Sequence, residues 1–322
     1  MPVTSRTMVC VLITLALSAG SSLSNRAFAK EADDAVEARP AASEAELKYW
    51  LENMVRYHGF SVEETAAATG LSPDVVKQKL KAFAIKPESQ KGRDSLLVLP
   101  WPSGRHPRIG FLEGAILPQR ETKVSVFTPW GDHDYVVVDV PEAIWSNLGL
   151  TYLAHTHIPT VFDKAGKTLE KLEWNRHADG TLDIERVLPN GIRFGAVVRP
   201  KKDHVQMELW LKNGTPELLT DLRVQNCVML KSASGFNAQT NDNKQSEGPY
   251  ALARSTNGNR WIITAWEPLH RAWYNERCPC LHSDPKFPDC KPGQTVHLKG
   301  WLSFFEGNDT DTIIERFTRT ID

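Results

Sequence analysis

The spacing of the apolar residues changes once along this chain, and that change is the strongest constraint on its fold. Before residue 86 the apolar side chains recur at helical spacing. Beyond residue 108 they alternate every second residue, which is the period of a strand with one buried face. This order predicts a mainly β protein, in which a large antiparallel β-sandwich is preceded by a small three-helix module.

Twelve segments beyond residue 108 have the alternation or the β-branched content expected of strands. Turn sequences such as Pro189-Asn-Gly191 and Asn257-Gly258 separate several of them and favour hairpins. A helix is predicted in this region for 142–148 alone. The predicted strands are 122–128, 134–140, 150–155, 168–174, 181–188, 192–198, 204–211, 222–230, 250–255, 260–266, 295–305 and 312–318.

Composition and pattern divide the chain into five predicted segments. These are a signal peptide (1–29), a linker (30–44), the three-helix module (45–85), a second linker (86–108) and the sandwich domain (109–322). The first segment has a positive start at Arg6, an apolar core and the cleavage sequence Ala27-Phe-Ala29. Its apolar core is shorter than the ~20 residues of a membrane span. We therefore predict a secreted or periplasmic protein with no membrane association after cleavage; an uncleaved anchor is the alternative.

The three-helix module has clear helix start signals. Ser61 and Glu64 form a capping box, and Ser72 precedes Pro73 at the start of the last helix. The stretch 61–80 resembles a helix-turn-helix unit, a pattern that three-helix packing alone also produces. The formal net charge is −1, and it becomes −3 without residues 1–29, from 36 basic against 39 acidic groups. We therefore expect no nucleic-acid partner, and instead a packing role or a protein partner for this module.

Two short runs carry side chains suited to metal binding or acid–base chemistry. His155-Thr-His157 and Cys280-Leu-His282 each place such side chains two residues apart, and so on one face of an extended strand. If the two runs converge, His155, His157 and His282 are candidate ligands of a zinc ion. His155 and His157 are also candidate catalytic bases, as is His270. The alternative is that one histidine of the first run caps a carbonyl and the other is exposed.

The cysteines allow three interpretations. Without residues 1–29 the chain has Cys227, Cys278, Cys280 and Cys290, which in an oxidising compartment predict disulfide bonds. Bridges from Cys280 to Cys290 and from Cys227 to Cys278 are one possible pairing. Cys278, Cys280, His282 and Cys290 also match a structural zinc set in residue type, although Cys-x-Cys is not the usual spacing. Free buried thiols are the third interpretation.

Tryptophan is abundant in this chain, with ten residues, and one stretch combines it with hydrogen-bonding groups. Sugar rings stack their C–H faces on indole while their hydroxyls require polar partners beside it. The predicted substrate-binding residues all lie within 266–275: Trp266, Glu267, Arg271, Trp273 and Asn275. The alternative is that these tryptophans belong to the core of the sandwich.

The segments 194–200, 203–215, 219–227 and 292–306 resemble strands of galactose mutarotase-like supersandwich proteins. In that group a long strand ends in Asn-x-Thr, here Asn213 to Thr215, and the next strand begins at Leu-x-x-Leu. The resemblance implies a supersandwich-like domain and sugar epimerisation by a histidine and a glutamate that face a cleft. His204 and Glu208 are such a pair on one strand, unless they form the solvated side of a hairpin. The runs 154–160 and 278–285 also resemble secreted bacterial proteins, and this second resemblance implies no activity.

Together these patterns predict a secreted protein that binds or processes carbohydrate. A non-catalytic structural or interaction protein held by disulfides is the alternative from another class. A metal-dependent hydrolase that uses His155 and His157 is a third possibility, and zinc is the cofactor that the candidate ligands suggest.

Overall fold

A computed structural model describes residues 38–87, 95–104, 108, 116–118, 120–156 and 158–321. All of these residues belong to one compact unit. The predicted signal peptide, residues 30–37 of the first predicted linker and His157 lie outside the described residues. Within the described part of the chain, no helix has both the length and the apolar character required to cross a bilayer.

The helices before residue 86 are short and begin where the sequence signals predict. Ser61 accepts a hydrogen bond from the backbone of Glu64, whose carboxylate accepts one in return, so the capping box is present. Ser72 caps the helix that has Pro73 at its first position. The helices are α1 (Glu44–Leu51, continued by a π-helical segment, Glu52–Tyr57), α2 (Val62–Thr69), α3 (Pro73–Ala82), α4 (Val161–Lys164) and α5 (Thr310–Ile321).

Two antiparallel sheets form the body of the protein, which confirms the predicted mainly β sandwich. The first sheet has the order β1-β3-β4-β11-β16-β15, and β5 pairs with β4 beside this path. Its strands are β1 (Val98–Pro100), β3 (Lys123–Phe127), β4 (Tyr135–Ser146), β5 (Gly149–Leu153), β11 (Val224–Met229), β15 (Leu269–Trp273) and β16 (Cys280–Pro285).

The second sheet has eight strands in the order β12-β13-β14-β17-β10-β9-β8-β7. They are β7 (Asn175–Arg176), β8 (Leu182–Val187), β9 (Arg193–Pro200), β10 (His204–Lys212), β12 (Lys244–Glu247), β13 (Tyr250–Arg254), β14 (Arg260–Glu267) and β17 (Thr295–Glu306). A small ladder joins β2 (Ile116–Pro118) to β6 (His155–Thr156). The inner faces of the two large sheets enclose the main core, with valines such as Val136 and Val138 from the first sheet and Phe194, Met207 and Leu302 from the second.

Each sheet also has helices on its outer face. Helices α1 to α3 pack on the first sheet in a second apolar cluster that includes Trp50, Met54 and Tyr135. A buried hydrogen bond of 2.7 Å joins His58 Nε2, which follows α1, to Ser125 Oγ on β3. Helix α5 covers one end of the outer face of the second sheet. The helical segment and the sheets are therefore in direct contact.

Three local predictions are wrong. Residues 142–148, predicted as a helix, extend strand β4, which reaches Ser146. Residues 168–174, predicted as a strand, form no regular element. Residues 312–318, also predicted as a strand, lie in α5, where Ile313 and Phe317 are four residues apart and both buried. The predicted linker 86–108 contributes the edge strand β1.

Candidate functional site

The outer face of the first sheet carries a concentration of buried polar side chains, which we call the polar cluster. Strand β4 supplies one of its members, β6 one, β11 one and β16 three. The members are Glu142, His155, Cys227, Cys280, His282 and Asp284, all buried. Strand pairing brings them together, because Cys227 lies opposite Asp139 of β4 and its neighbour Val228 lies opposite Leu281 of β16.

Glu142 lies between the two histidines that the sequence singled out. His155 Nε2 is 3.1 Å from Glu142 Oε1, and His282 Nδ1 is 3.8 Å from Glu142 Oε2. Gln225 Nε2 also donates a hydrogen bond of 2.8 Å to Oε2. Burial by itself would raise the pKa of Glu142, but the hydrogen bond to His155 and the charges of the two histidines outweigh it and lower that pKa. The two runs therefore converge at one carboxylate.

Asp284 connects the cluster to strand β15. Its Oδ2 accepts hydrogen bonds from Arg271 Nε at 2.9 Å and from Trp273 Nε1 at 2.6 Å. The Trp273 ring stacks on the His282 imidazole with a centroid distance of 3.9 Å and an interplanar angle of 12°. Burial raises the pKa of the Asp284 carboxyl in spite of these partners. Of the predicted substrate-binding residues, Arg271 and Trp273 thus contact the cluster.

Three cysteines gather at the other end of the cluster. Cys280 Sγ lies 3.4 Å from His282 Nε2 and accepts hydrogen bonds from Cys227 and Cys278. These hydrogen bonds lower the pKa of the Cys280 thiol, while those of Cys227 and Cys278 are raised. Burial opposes a charged imidazole, but the hydrogen bond to Cys280 and the nearby negative charges outweigh it and raise the pKa of His282 to about 9. Both shifts favour a thiolate at Cys280 beside a charged His282, and the same donor atoms are those that bind soft metal ions.

The predicted disulfide bonds are absent from this structure. All four described cysteines are free thiols. Cys290 belongs to the main core rather than to the cluster, and its Sγ donates to the Gln294 carbonyl at 3.3 Å. The proposed bridge from Cys280 to Cys290 is therefore not formed, whereas Cys227 and Cys278 do lie near each other, around Cys280.

The remaining predicted site residues lie apart from the polar cluster. Trp266 is 1% exposed and faces the main core, where its ring lies directly against Gly300, so it offers no face to a sugar. Glu267 and His270 are exposed at the end of β14 and on β15. The side chain of Asn275 instead shapes a turn, because its Oδ1 accepts a hydrogen bond from the backbone of Arg277.

A second feature lies on the exposed outer face of the second sheet, and sequence reasoning did not single it out. The half-buried Trp210 ring lies against Gly195, since a Cβ on that glycine would be 2.6 Å from two indole carbons. A groove of about 680 Å³ runs beside it, which we call the Trp210 groove. Its lining combines apolar residues with hydrogen-bonding side chains, and the latter are His177, Asp179, Thr181, Asp183, Glu185 and Arg199.

Charged pairs surround the Trp210 groove. Glu185 is paired with Arg193 at 3.2 Å, and Glu208 with both Arg199 at 3.4 Å and His297 at 2.9 Å. Glu208 is the glutamate that the supersandwich resemblance suggested, but the structure pairs it with His297, and His204 is paired with Asp203. The feature that marks this groove is the cross-strand pair of Trp210 with Gly195. Only the register of the sheet reveals that pair, so the sequence alone contains no such signal.

Comparisons with known proteins give no family assignment. No family model and no curated protein matches the sequence. Solved structures with partial similarity include a protein described as a kojibiose phosphorylase from the human microbiome (TM-score 0.36, 6% identity, 71% of this chain and 35% of that one). Another is the polysaccharide lyase BACCELL_00875 (TM-score 0.33, 14% identity, 67% of this chain and 33% of that one). A third is a mutant of the heparan sulfate lyase HepC from Pedobacter heparinus (TM-score 0.33, 7% identity, 89% of this chain and 47% of that one).

This chain spans less than half the length of each of these three structures. All three are carbohydrate-processing enzymes by their descriptions, but similarity at this level assigns neither a fold family nor an activity. The resemblance to galactose mutarotase-like proteins is not confirmed by any of the comparisons.

Proposed function

We propose that this protein binds carbohydrate in the Trp210 groove. The observation that carries the proposal is an indole ring laid against a glycine in the middle of an exposed, polar sheet face. Such a ring presents one flat apolar face outward at little cost in conformational entropy, which suits the C–H face of a sugar. Because residues 1–29 are predicted to direct export, we propose a ligand found outside the cytoplasm.

The polar lining of the groove fits the hydroxyl groups of the same ligand. Carboxylates such as Asp183 accept hydrogen bonds from hydroxyls, and the guanidinium of Arg199 donates them. Asp183 is already held by Asn175, whose Nδ2 donates at 2.8 Å, and by His177. A side chain fixed in this way loses little further freedom when it binds a ligand. Apolar stacking and oriented polar groups therefore occur together, as in most small-molecule sites.

Replacing Trp210 with alanine tests this proposal. We expect the substitution to weaken binding on the order of 30-fold, since the loss of a central aromatic contact costs about 2 kcal/mol. A glycan array would identify ligands of the unmodified protein, and calorimetry would measure the affinity of each variant. Trp145→Ala is the matched control, because Trp145 is also half-buried but lies on β4 of the first sheet. Equal loss in both variants, or no glycan bound by the unmodified chain, would refute the proposal.

A specific observation favours a second function, which is acid–base processing of a sugar at the polar cluster. We infer it from the 3.1 Å contact between His155 and Glu142, a buried imidazole–carboxylate pair suited to proton transfer. If the pair acts as a unit, His155→Gln should lower the rate of a sugar-epimerisation assay by about 10²–10⁴-fold. The double variant with Glu142→Gln should be no slower than either single variant. Additive losses would indicate that the two side chains act independently.

A further inference from the structure

The described cysteines and histidines include one group whose donor atoms converge. Cys227 Sγ, Cys280 Sγ and His282 Nε2 come from three positions on β11 and β16, and the three residues offer donor atoms that all lie within 4.8 Å of one another. The thiol of Cys278 hydrogen bonds to Cys280, so a third sulfur lies beside this group. All four side chains are buried. This set contains Cys227 in place of the Cys290 that the sequence suggested.

The distances within this group fit a tetrahedral metal ion. Zinc–sulfur bonds of about 2.3 Å and zinc–nitrogen bonds of about 2.0–2.1 Å place tetrahedral sulfur and nitrogen ligands about 3.6 Å apart. The observed separation between Cys280 Sγ and His282 Nε2 is 3.4 Å. These two atoms are therefore already spaced like two ligands of one tetrahedral ion. Three thiolates and one imidazole are a common ligand set of closed structural zinc sites.

The surroundings of His282 orient its ring for metal binding. Nδ1 lies 2.8 Å from the Asn226 carbonyl oxygen and so donates its proton there, which directs Nε2 toward the sulfurs. Trp273 stacks on the imidazole and fixes its plane. A hydrogen bond from the second ring nitrogen to a carbonyl is the usual support of a metal-binding histidine. These two contacts together fix the orientation of the imidazole ring.

The local charge also suits a zinc ion with thiolate ligands. Three thiolates and one divalent cation leave a net charge of −1. The buried side chain of Lys244 lies close enough to Cys278 and Cys280 to interact electrostatically with both. It therefore offsets part of that residual charge.

We propose that Cys227, Cys278, Cys280 and His282 bind one zinc ion. The ion joins β11 to β16 and to the turn that precedes β16, and so fixes the strand that carries His282 and Asp284. Each thiol that becomes a ligand loses its proton to solvent, and no oxidation step is involved. The proposal does not depend on carbohydrate binding in the Trp210 groove, which lies on the other sheet.

The test is metal analysis of the full chain, purified with a reducing agent and without chelator. We expect about one zinc ion per chain by mass spectrometry. Replacing zinc with cobalt should give intense d–d bands of a tetrahedral site and charge-transfer bands from thiolate to cobalt. Both readouts use the unmodified protein, so they remain informative if a ligand variant fails to fold.

Ligand variants then identify the residues. Cys280→Ser and His282→Gln should weaken zinc binding by more than the ~10–100-fold loss that outer-shell changes cause. Cys290→Ser is the matched control, because Cys290 is also a buried thiol but hydrogen bonds to Gln294 in another part of the core. Its zinc content should be unchanged. Chelation of the unmodified protein should lower its melting temperature.

Three results would overturn the proposal. One is zinc-loaded protein that retains no metal after dialysis, and another is a cobalt form without thiolate charge-transfer bands. The third is a disulfide between two of Cys227, Cys278 and Cys280 in protein isolated without a reducing agent, since oxidised sulfurs cannot be ligands.

Discussion

Replacing Lys123 with methionine should destabilise the fold by about 3–5 kcal/mol, because it leaves a buried carboxylate without its counter-charge. Lys123 Nζ lies 3.0 Å from Asp139 Oδ1, and both side chains are fully buried. Lys123 also donates to the Ala154 carbonyl at 3.2 Å, and Ala154 directly precedes His155 of the polar cluster. The measurement is urea-induced unfolding of the unmodified protein and the variant.

The loss should depend on pH. Burial raises the pKa of Asp139 even with Lys123 present, and removing the ammonium should raise it further. The unfolded carboxyl ionises near pH 3.9, whereas in the folded variant it remains protonated to higher pH. A carboxyl whose pKa is higher in the folded than in the unfolded state binds more protons when folded, so the free energy of unfolding falls as the pH rises. The difference between the two proteins should therefore be small near pH 4 and should grow as the pH rises through the folded pKa of Asp139 in the unmodified protein.

A double variant separates the two charges. Lys123→Met combined with Asp139→Leu should recover most of the lost stability, since an apolar pair of similar volume often replaces a buried ion pair without cost. If the double variant is no more stable than Lys123→Met alone, the loss arises from packing rather than from the unpaired carboxylate. A single variant that loses less than about 1 kcal/mol would mean that water reaches this pair.

The second large effect is expected at Trp266, where alanine should lower the free energy of unfolding by about 3–5 kcal/mol. The ring is 1% exposed and fills the space above Gly300, where a Cβ would approach three of its carbons within 2.7 Å. No backbone movement of a central strand such as β17 can easily refill that volume. Chemical denaturation followed by circular dichroism measures the change.

Trp210→Ala is the matched comparison for stability as well as for binding. Trp210 also lies against a glycine but is only half-buried, so its removal should cost less than half as much stability. The two tryptophans should therefore show opposite patterns: a large stability loss with glycan binding retained for Trp266, and the reverse for Trp210. A Trp266 variant that stays stable but loses glycan binding would contradict the placement of this ring in the core.

Local patterns in the sequence predicted the mainly β architecture and the helix starts. Ser61, Glu64 and Ser72 act through hydrogen bonds within four residues, so their effect can be derived without knowledge of the fold. The same reasoning failed at α5. Its apolar residues Ile313 and Phe317 have a spacing of four, but the threonines that flank them also favour strands, and the capping Asp309 precedes the segment.

The candidate site was predicted in part. The two runs with side chains two residues apart indicated His155, Cys280 and His282, which do converge. Two residues beyond His282, the same alternation along β16 would have reached Asp284. Glu142 was missed because its segment was predicted as a helix. Its role depends on the pairing of β4 with β11, where a register shift follows Gln225. Such long-range register is not encoded in any local pattern.

The strands that end each sheet also affect how the protein behaves in concentrated solution. An edge strand exposes unpaired backbone groups that can recruit another chain and begin aggregation. Here β7 is a two-residue strand of Asn175 and Arg176, and β12 is a short polar strand. Strand β1 ends at Pro100, and β15 contains an irregularity before Arg271. Short length, charge, proline and a broken ladder therefore disfavour growth of either sheet by strand addition.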